Sequence, residues 1–217
     1  MTPFNEDSVR GYLHAPKHPG NLGLVLTHGA GGNAKMHLLV LLAEAFCDAG
    51  YHVLRCDMAF RQRRPSGPPS PASAANDRAS LCEAVTAMHR ILQGGRVILG
   101  GQSYGGRQST ILASEQPGLV EALLLLSYPL HAPGKPDKPR TAHFPALRTP
   151  SLFVHGSNDP FGMIDEMTEA LKLIPARHEL IEVAGAGHDL GGSKFALAGT
   201  VVEKLGALAA AKSEHHA

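Results

Sequence analysis

Residues 96–108, RVILGGQSYGGRQ, decide the fold. The apolar run Val97-Ile98-Leu99 leads into one serine, Ser103, flanked by Gly100, Gly101, Gly105 and Gly106. Two chemistries use a glycine-rich turn between a strand and a helix. One cradles a phosphate, and the other holds a nucleophile in a tight corner. The phosphate form requires Lys and then Ser or Thr after the last glycine, but Gly106 is followed by Arg107-Gln108. The lysine that reaches phosphates and the hydroxyl that holds magnesium are therefore missing. A dinucleotide G-x-G-x-x-G is also absent from this turn. By contrast, Gly101-Gln102-Ser103-Tyr104-Gly105 fits G-x-S-x-G with a strand before it and a helix after it. A residue at such a corner adopts backbone angles that cost about 1–3 kcal/mol. Side chains two positions to either side would collide there, which accounts for the glycines. The serine hydroxyl then stands clear of the backbone near a helix N-terminus, where the dipole favours developing negative charge.

The rest of the chain supplies a frame for that corner. Apolar runs at Leu22–Thr27, His52–Cys56, Arg96–Leu99, Ala122–Leu126, Ser151–Val154 and Glu179–Val183 are mostly continuous rather than alternating. That pattern suits parallel strands covered on both faces. Helical segments lie between them. One spans 34–49, with Asn33 as N-cap and Gly50 as stop; others span 72–92, 104–115, 163–174 and 194–211, the last starting after Ser193. The alternation predicts an α/β fold: a mostly parallel central sheet with helices on both faces.

A nucleophilic serine needs a base, and the base needs an orienting acid. In this arrangement they follow in the order Ser, Asp or Glu, His, on loops after later strands. After the run Ser151–Val154 comes His155-Gly156-Ser157-Asn158-Asp159, and after Glu179–Val183 comes Ala184-Gly185-Ala186-Gly187-His188-Asp189. Asp159 and His188 fall in the expected loops and order. His155 is the rival base, but it precedes its loop. Asp189 adjoins the histidine too closely to orient its ring, and Asp57 follows an earlier strand and reads as a loop or capping residue. The oxyanion of acyl transfer needs backbone donors. The N–H of Tyr104 is one. The second comes from the loop Thr27-His28-Gly29-Ala30-Gly31-Gly32-Asn33, with Ala30 favoured and Gly31 as the alternative.

With these residues in place, the chain resembles an α/β-hydrolase over nearly the whole core of that fold. More narrowly, Leu26–Gly32 together with Gly101–Arg107 is similar to the dienelactone-hydrolase-like group and its testis-expressed protein 30-like branch of predicted hydrolases. Dienelactone hydrolases use a cysteine where this chain has Ser103, so their substrate is not carried over. The resemblance implies a central sheet of about 6–7 strands with right-handed crossovers, a minimal cap and a single domain over residues 1–217. Residues 1–21 leave room for one strand, at Val9–Leu13, so the first strand or two of the full fold is expected to be missing.

The reaction expected of these residues is cleavage of a small or soluble carboxylic ester or thioester through an acyl-enzyme on Ser103. No metal or organic cofactor is required for it, and no Cys/His cluster has zinc spacing. Two alternatives stand beside it. Some relatives of the testis-expressed branch serve as scaffolds, which would make this a catalytically vestigial interaction domain. A peptidase or amide hydrolase would use the same three side chains.

Two proline-rich stretches, 59–79 and 131–149, follow strands and emerge at the carboxyl edge of the sheet, where open α/β folds place ligands. Each carries four Lys or Arg against one Asp, a net +3, although the whole chain carries only +1. Arg61, Arg63, Arg64 and Arg107 are the expected contacts to an anionic substrate group. The stretch 131–149 is too short for a helical cap, so the site should be open. The near-neutral charge argues against a nucleic-acid partner. Three cysteines without paired spacing fit a reducing compartment, and no signal layout or membrane-length apolar run is present, so a cytoplasmic monomer or homodimer without membrane contact is expected.

Overall fold

The computed structural model describes residues 1–192 and 195–210. Among them, eight strands form one sheet: β1 (Thr2–Glu6), β2 (Val9–His14), β3 (Leu22–Thr27), β4 (His52–Asp57), β5 (Arg96–Gln102), β6 (Ala122–Leu126), β7 (Ser151–Gly156) and β8 (His178–Val183). Their order across the sheet is β1-β2-β4-β3-β5-β6-β7-β8. The β1/β2 and β2/β4 pairs are antiparallel; every pair from β4 to β8 is parallel.

The helices are α1 (His37–Asp48), α2 (Ala59–Arg63), α3 (Ala74–Leu92), α4 (Tyr104–Glu115), α5 (Ile164–Leu171) and α6 (Ala198–Ala210). α1 and α6 cover one face of the sheet, and α2 to α5 cover the other. The continuous apolar strands follow from this sandwich. In β6, Ala122, Leu124 and Leu126 pack toward α1 and α6, while Leu123 and Leu125 pack toward the opposite helices, and all five are fully buried. Burying one such leucine stabilises the fold by roughly 1.5–3 kcal/mol. A polar residue on either face would forfeit that, so the runs cannot alternate.

Three features differ from the sequence reading. The sheet has eight strands rather than about 6–7, because Thr2–Glu6 forms a hairpin with β2. Only Phe4 of that strand is buried, so a five-residue segment bearing Pro, Asn and Glu carries no strand signal in its composition. The first long helix begins at His37 rather than at residue 34. Asn33 caps locally instead, its Oδ1 accepting the Lys35 N–H at 2.8 Å, while the Ala34 N–H goes to Asp57 Oδ1 at 2.7 Å. Finally, α2 and a 3₁₀ turn at Pro71–Ser73 fall within the first proline-rich stretch, and the helix expected from residue 72 starts at Ala74. The helix expected from residue 194 begins at Ala198, and Phe195, Ala196 and Leu197 precede it outside the helix. Ser193, Lys194 and residue 211 lie outside the described residues.

The second stretch is a strap fixed to the body. The Tyr128 hydroxyl donates to the Arg140 carbonyl at 2.7 Å, the Arg140 N–H donates to Leu130 O at 2.7 Å, and Phe144 is fully buried. His143 Nε2 meets Thr110 Oγ1 of α4 at 2.8 Å. Burial, and secondarily the Arg107 charge, lowers the pKa of His143 to about 4, so that ring is neutral. No helix among the described residues is long and apolar enough to cross a membrane.

Candidate active site

The parallel strands deliver four loops to one edge of the sheet. Ser103 sits between β5 and α4 with φ 51° and ψ −114°, a left-handed conformation that a serine adopts only under constraint. The constraint is the close approach of helix to strand. A Cβ on Gly105 would lie 2.6 Å from His28 O and 2.7 Å from Thr27 Cγ2, and one on Gly101 would lie 2.6 Å from the Gly105 carbonyl carbon. Only glycine at both positions lets α4 turn off β5 this sharply. The Ser103 N–H donates to Leu126 O of the neighbouring strand at 2.8 Å, and Ser103 O accepts the Arg107 N–H at 2.9 Å. The corner is thus held from both sides.

The structure brings Ser103, His188 and Asp159 into one hydrogen-bonded series. His188 Nε2 lies 2.8 Å from Ser103 Oγ, and His188 Nδ1 lies 2.7 Å from Asp159 Oδ2. An ionised carboxylate only accepts, so Nδ1 carries the ring proton and the lone pair of Nε2 faces the serine hydroxyl. Asp159 is fully buried, and its other oxygen accepts the Phe161 N–H at 2.9 Å. His188 is a quarter exposed. Phe161 stacks on its ring, with centroids 4.2 Å apart and planes 28° from parallel. Gln102 Nε2 reaches His188 O at 3.4 Å.

The rival residues are occupied elsewhere. His155 is fully buried at the end of β7, its Nε2 donating to Gly162 O at 2.7 Å, and burial holds its pKa down. Asp57 accepts the Ala34 N–H, as a capping residue would. Asp189 accepts the N–H of Gly191 within its own turn.

The loop after β3 runs against the serine: a Cβ on Gly29 would come 3.4 Å from Ser103 Cβ. Among the described residues, the N–H groups of Ala30, Gly31 and Tyr104 donate to no protein acceptor, and all three residues line the cavity at Ser103. Behind the loop, His28 is fully buried, and its Nδ1 donates to Gly29 O at 2.8 Å. Its Nε2 accepts the Met58 N–H at 3.2 Å, and burial lowers its pKa. His28 is therefore a neutral brace.

Asp77 braces the other side. It is fully buried, its Oδ1 accepts the Phe60 N–H at 2.9 Å, and its Oδ2 accepts the Tyr104 hydroxyl at 2.8 Å and the Ser73 hydroxyl at 3.1 Å. Burial first, and then this carboxylate, push the Tyr104 hydroxyl well above its usual pKa.

The arginines expected at the substrate separate into two groups. Arg61 is buried, and its guanidinium is spent on backbone carbonyls: Gly32 O at 2.7 Å, Ala30 O at 2.9 Å, Gly67 O at 3.0 Å and Arg64 O at 3.2 Å. It is a strut for the glycine loop. Arg63 and Arg64 are exposed and border a separate groove of about 280 Å³. These three do not line the cavity at Ser103, whereas Arg107 does. Charge counting along the chain cannot tell a guanidinium facing its own backbone from one facing solvent or a cleft. Sequence reasoning missed Phe161, Gln102 and Arg140 as site residues. Arg140 was legible only as loop charge, and the spacing of Phe161 from Asp159 says nothing about which way its ring faces.

The cavity over the serine measures about 1130 Å³. Gly29–Asn33, the Pro68–Pro71 wall, the start of α4, Pro129 just before the strap and Arg140 on it surround it. It is roomy enough for a drug-sized ligand.

Comparisons with known proteins agree with this architecture. Residues 21–215 match the family described as an alpha/beta hydrolase domain. A human protein, ABHD14B, whose name carries a provisional protein-lysine deacylase assignment, is 26% identical over 170 residues, 76% of this chain and 73% of that protein. Among solved structures, an alpha-beta serine hydrolase homologue from Coxiella burnetii superposes with a TM-score of 0.78 at 19% identity, over 94% of this chain and 98% of the other. Dienelactone hydrolase from Anabaena variabilis superposes with a TM-score of 0.70 at 21% identity, over 94% and 97%. At those identities the likeness to the two structures is one of fold.

Proposed function

The chain belongs to the α/β-hydrolase domain family, and from that membership we propose that it is a serine hydrolase acting on a small or soluble carboxylic ester or thioester. One observation carries the reading: a serine hydroxyl in a strained corner, an imidazole and a buried carboxylate joined by 2.8 Å and 2.7 Å hydrogen bonds at a cavity.

In this reading Ser103 Oγ attacks the carbonyl carbon while His188 Nε2 takes the hydroxyl proton. Asp159 holds the ring tautomer and balances the imidazolium. The carbonyl oxygen becomes an oxyanion facing the N–H groups of Tyr104 and of Ala30, with Gly31 as the neighbouring donor. One such donor typically contributes about 2.7–4 kcal/mol to the transition state. His188 then gives its proton to the departing alkoxide or thiolate. Water, deprotonated by His188, attacks the acyl-enzyme, and the acid leaves as Ser103 regains its proton. The strap at 131–149 contributes no helical cap, and the open cleft suits soluble acyl groups.

A second reading replaces the ester by an amide. The name of the human relative suggests it for that protein, and the same residues would serve, with His188 protonating the departing amine.

Labelling by a fluorophosphonate probe tests the assignment together with p-nitrophenyl acetate turnover. The intact chain should label and turn over, Ser103→Ala should do neither, and Asp159→Asn should keep the fold but lose on the order of 10⁴ in kcat, as serine proteases built on the same three groups do. Full activity in Ser103→Ala would refute the nucleophile.

A further inference from the structure

We propose that the cavity contains a subsite for an oxyacid anion, a carboxylate or a phosphate borne by the substrate, formed by Arg107 and Arg140 with Gln108 beside them. The subsite deepens the serine-hydrolase reading and rests on it for its catalytic consequence.

Among the described residues, three cationic side chains line the cavity, Lys35, Arg107 and Arg140, and no Asp or Glu does. Arg107 lies one turn along α4 from Ser103. Its Nε is shut off from solvent and donates to nothing, and among the described residues its guanidinium has neither a hydrogen-bond acceptor nor a carboxylate partner. Gln108, the next residue, is fully buried and lines the same cavity. Its Oε1 accepts Arg78 at 3.1 Å, which identifies Nε2 as the free end, and that donor too has no partner. Arg140 makes one long contact, from a terminal guanidinium nitrogen to Pro129 O at 3.4 Å. The strap that carries it is pinned by the Tyr128 hydroxyl and the Leu130 carbonyl, so its position is set by the fold.

The large majority of buried side-chain donors are paired, because an orphan forfeits its hydration without replacement. The unpartnered Arg107 Nε and Gln108 Nε2, with the Arg140 guanidinium repelling that of Arg107, form an arrangement that an anion would satisfy. Arg78, which holds Gln108 Oε1, is paired with Glu115 at 3.0 Å, and two further titratable groups near the pair are neutral. Tyr128 is held protonated by burial, and His143 is uncharged near pH 7. Burial and then the Arg107 charge lower the pKa of Arg140, as expected when no acid stands between them. A planar guanidinium pairs with carboxylate or phosphate through two parallel hydrogen bonds, which makes the site one for oxyacids rather than for anions in general.

Two matched ester pairs test the subsite by kcat/KM. One sets mono-4-nitrophenyl glutarate, with its carboxylate in the acyl part, against 4-nitrophenyl pentanoate. The other sets 4-acetoxyphenyl phosphate, with its phosphate in the leaving group, against phenyl acetate. The wild-type chain should favour the anionic member of at least one pair by about tenfold or more, the loss expected for a charge-assisted hydrogen bond. The pair that shows the preference tells carboxylate from phosphate. Arg107→Gln and Arg140→Gln should each cut the preference about tenfold. Arg140 sits on the strap, so its variant keeps the test alive if Arg107→Gln does not fold. Equal rates within both pairs, or an unchanged preference in both variants, would overturn the proposal. If no ester turns over and the fluorophosphonate leaves Ser103 unlabelled, the nucleophile reading has failed separately, and binding decides the subsite. Inorganic phosphate or glutarate should then raise the unfolding temperature of the wild-type chain but not of Arg140→Gln, and no shift in the wild type would end the idea.

Discussion

The ring of Phe161 lies stacked on the imidazole of His188, 4.2 Å from centroid to centroid, while the Phe161 N–H holds the free oxygen of Asp159. One residue therefore fixes both the plane of the imidazole and the position of the carboxylate bonded to it. Such aromatic pairs contribute roughly 0.5–1.5 kcal/mol beyond area burial. Phe161→Ala keeps the N–H but frees the ring of His188, and kcat for ester hydrolysis should fall about threefold to tenfold. Steady-state kinetics alongside a thermal melt will show whether the loss is in turnover rather than in folding.

Under the proposed mechanism, Arg61 would act on the reaction through the loop it supports. Two of its four bonds to carbonyls hold Gly32 and Ala30, in the loop that lines the cavity. Arg61→Gln should lower kcat/KM about tenfold or more, and by the same factor for neutral and anionic esters. Arg107 and Arg140 should behave differently, with losses that track substrate charge. Comparing the two patterns on the matched ester pairs separates a positioning residue from a binding one.

Gly105 is held by sterics. A methyl group there meets His28 O and Thr27 Cγ2 well inside van der Waals contact, and neither is the end of a flexible side chain. Overpacking typically costs about 1–3 kcal/mol. At the upper end, Gly105→Ala should lower the melting temperature by about 6–12 °C in a chain of this size. It should also displace the Ser103 hydroxyl and abolish fluorophosphonate labelling. A melt unchanged within error would show that the corner has slack.

The strap carries a pH-dependent tie. His131 Nδ1 bonds the Ala132 carbonyl at 2.8 Å, and Nε2 meets Glu166 Oε2 at 3.2 Å, where Glu166 also caps the start of α5 through the Met163 N–H. The Ala132 carbonyl, and then Glu166, raise the pKa of His131 above its ordinary 6.5. The Met163 N–H, and then His131, lower that of Glu166 below its ordinary 4.5. The His131 contribution is thus complete below about pH 6.5 and is lost as pH rises through the raised value, while the Glu166 contribution is lost as pH falls below about 4.5. The stability difference between wild type and His131→Gln should be largest between these limits and shrink toward pH 8. Urea melts at pH 5.5, 7 and 8 will measure it.

The central strands, the corner at Ser103 and the loops bearing Asp159 and His188 were legible because each depends on local constraint. A strand covered on both faces must be continuously apolar, and a helix turning at once off a strand must carry glycine. Where geometry depends on long-range packing, the sequence was silent. Thr2–Glu6 pairs only because β2 offers an edge, and its composition denies it. Arg61, Arg63, Arg64 and Arg107 look alike as letters, yet the first is folded inward onto carbonyls and only the last faces the cavity. Phe161 and Arg140 reach the site across turns whose direction no spacing encodes.

The Asp77 carboxylate ties the hydroxyl of Tyr104, immediately after the serine, to Ser73 at the foot of the proline wall. The width of the cleft and the posture of the Ser103 hydroxyl are consequently not independent variables. Selection for a bulkier acyl chain that remodels Pro68–Pro71 should bring secondary substitutions near Asp77, because loosening the rim also loosens the corner on which the chemistry stands.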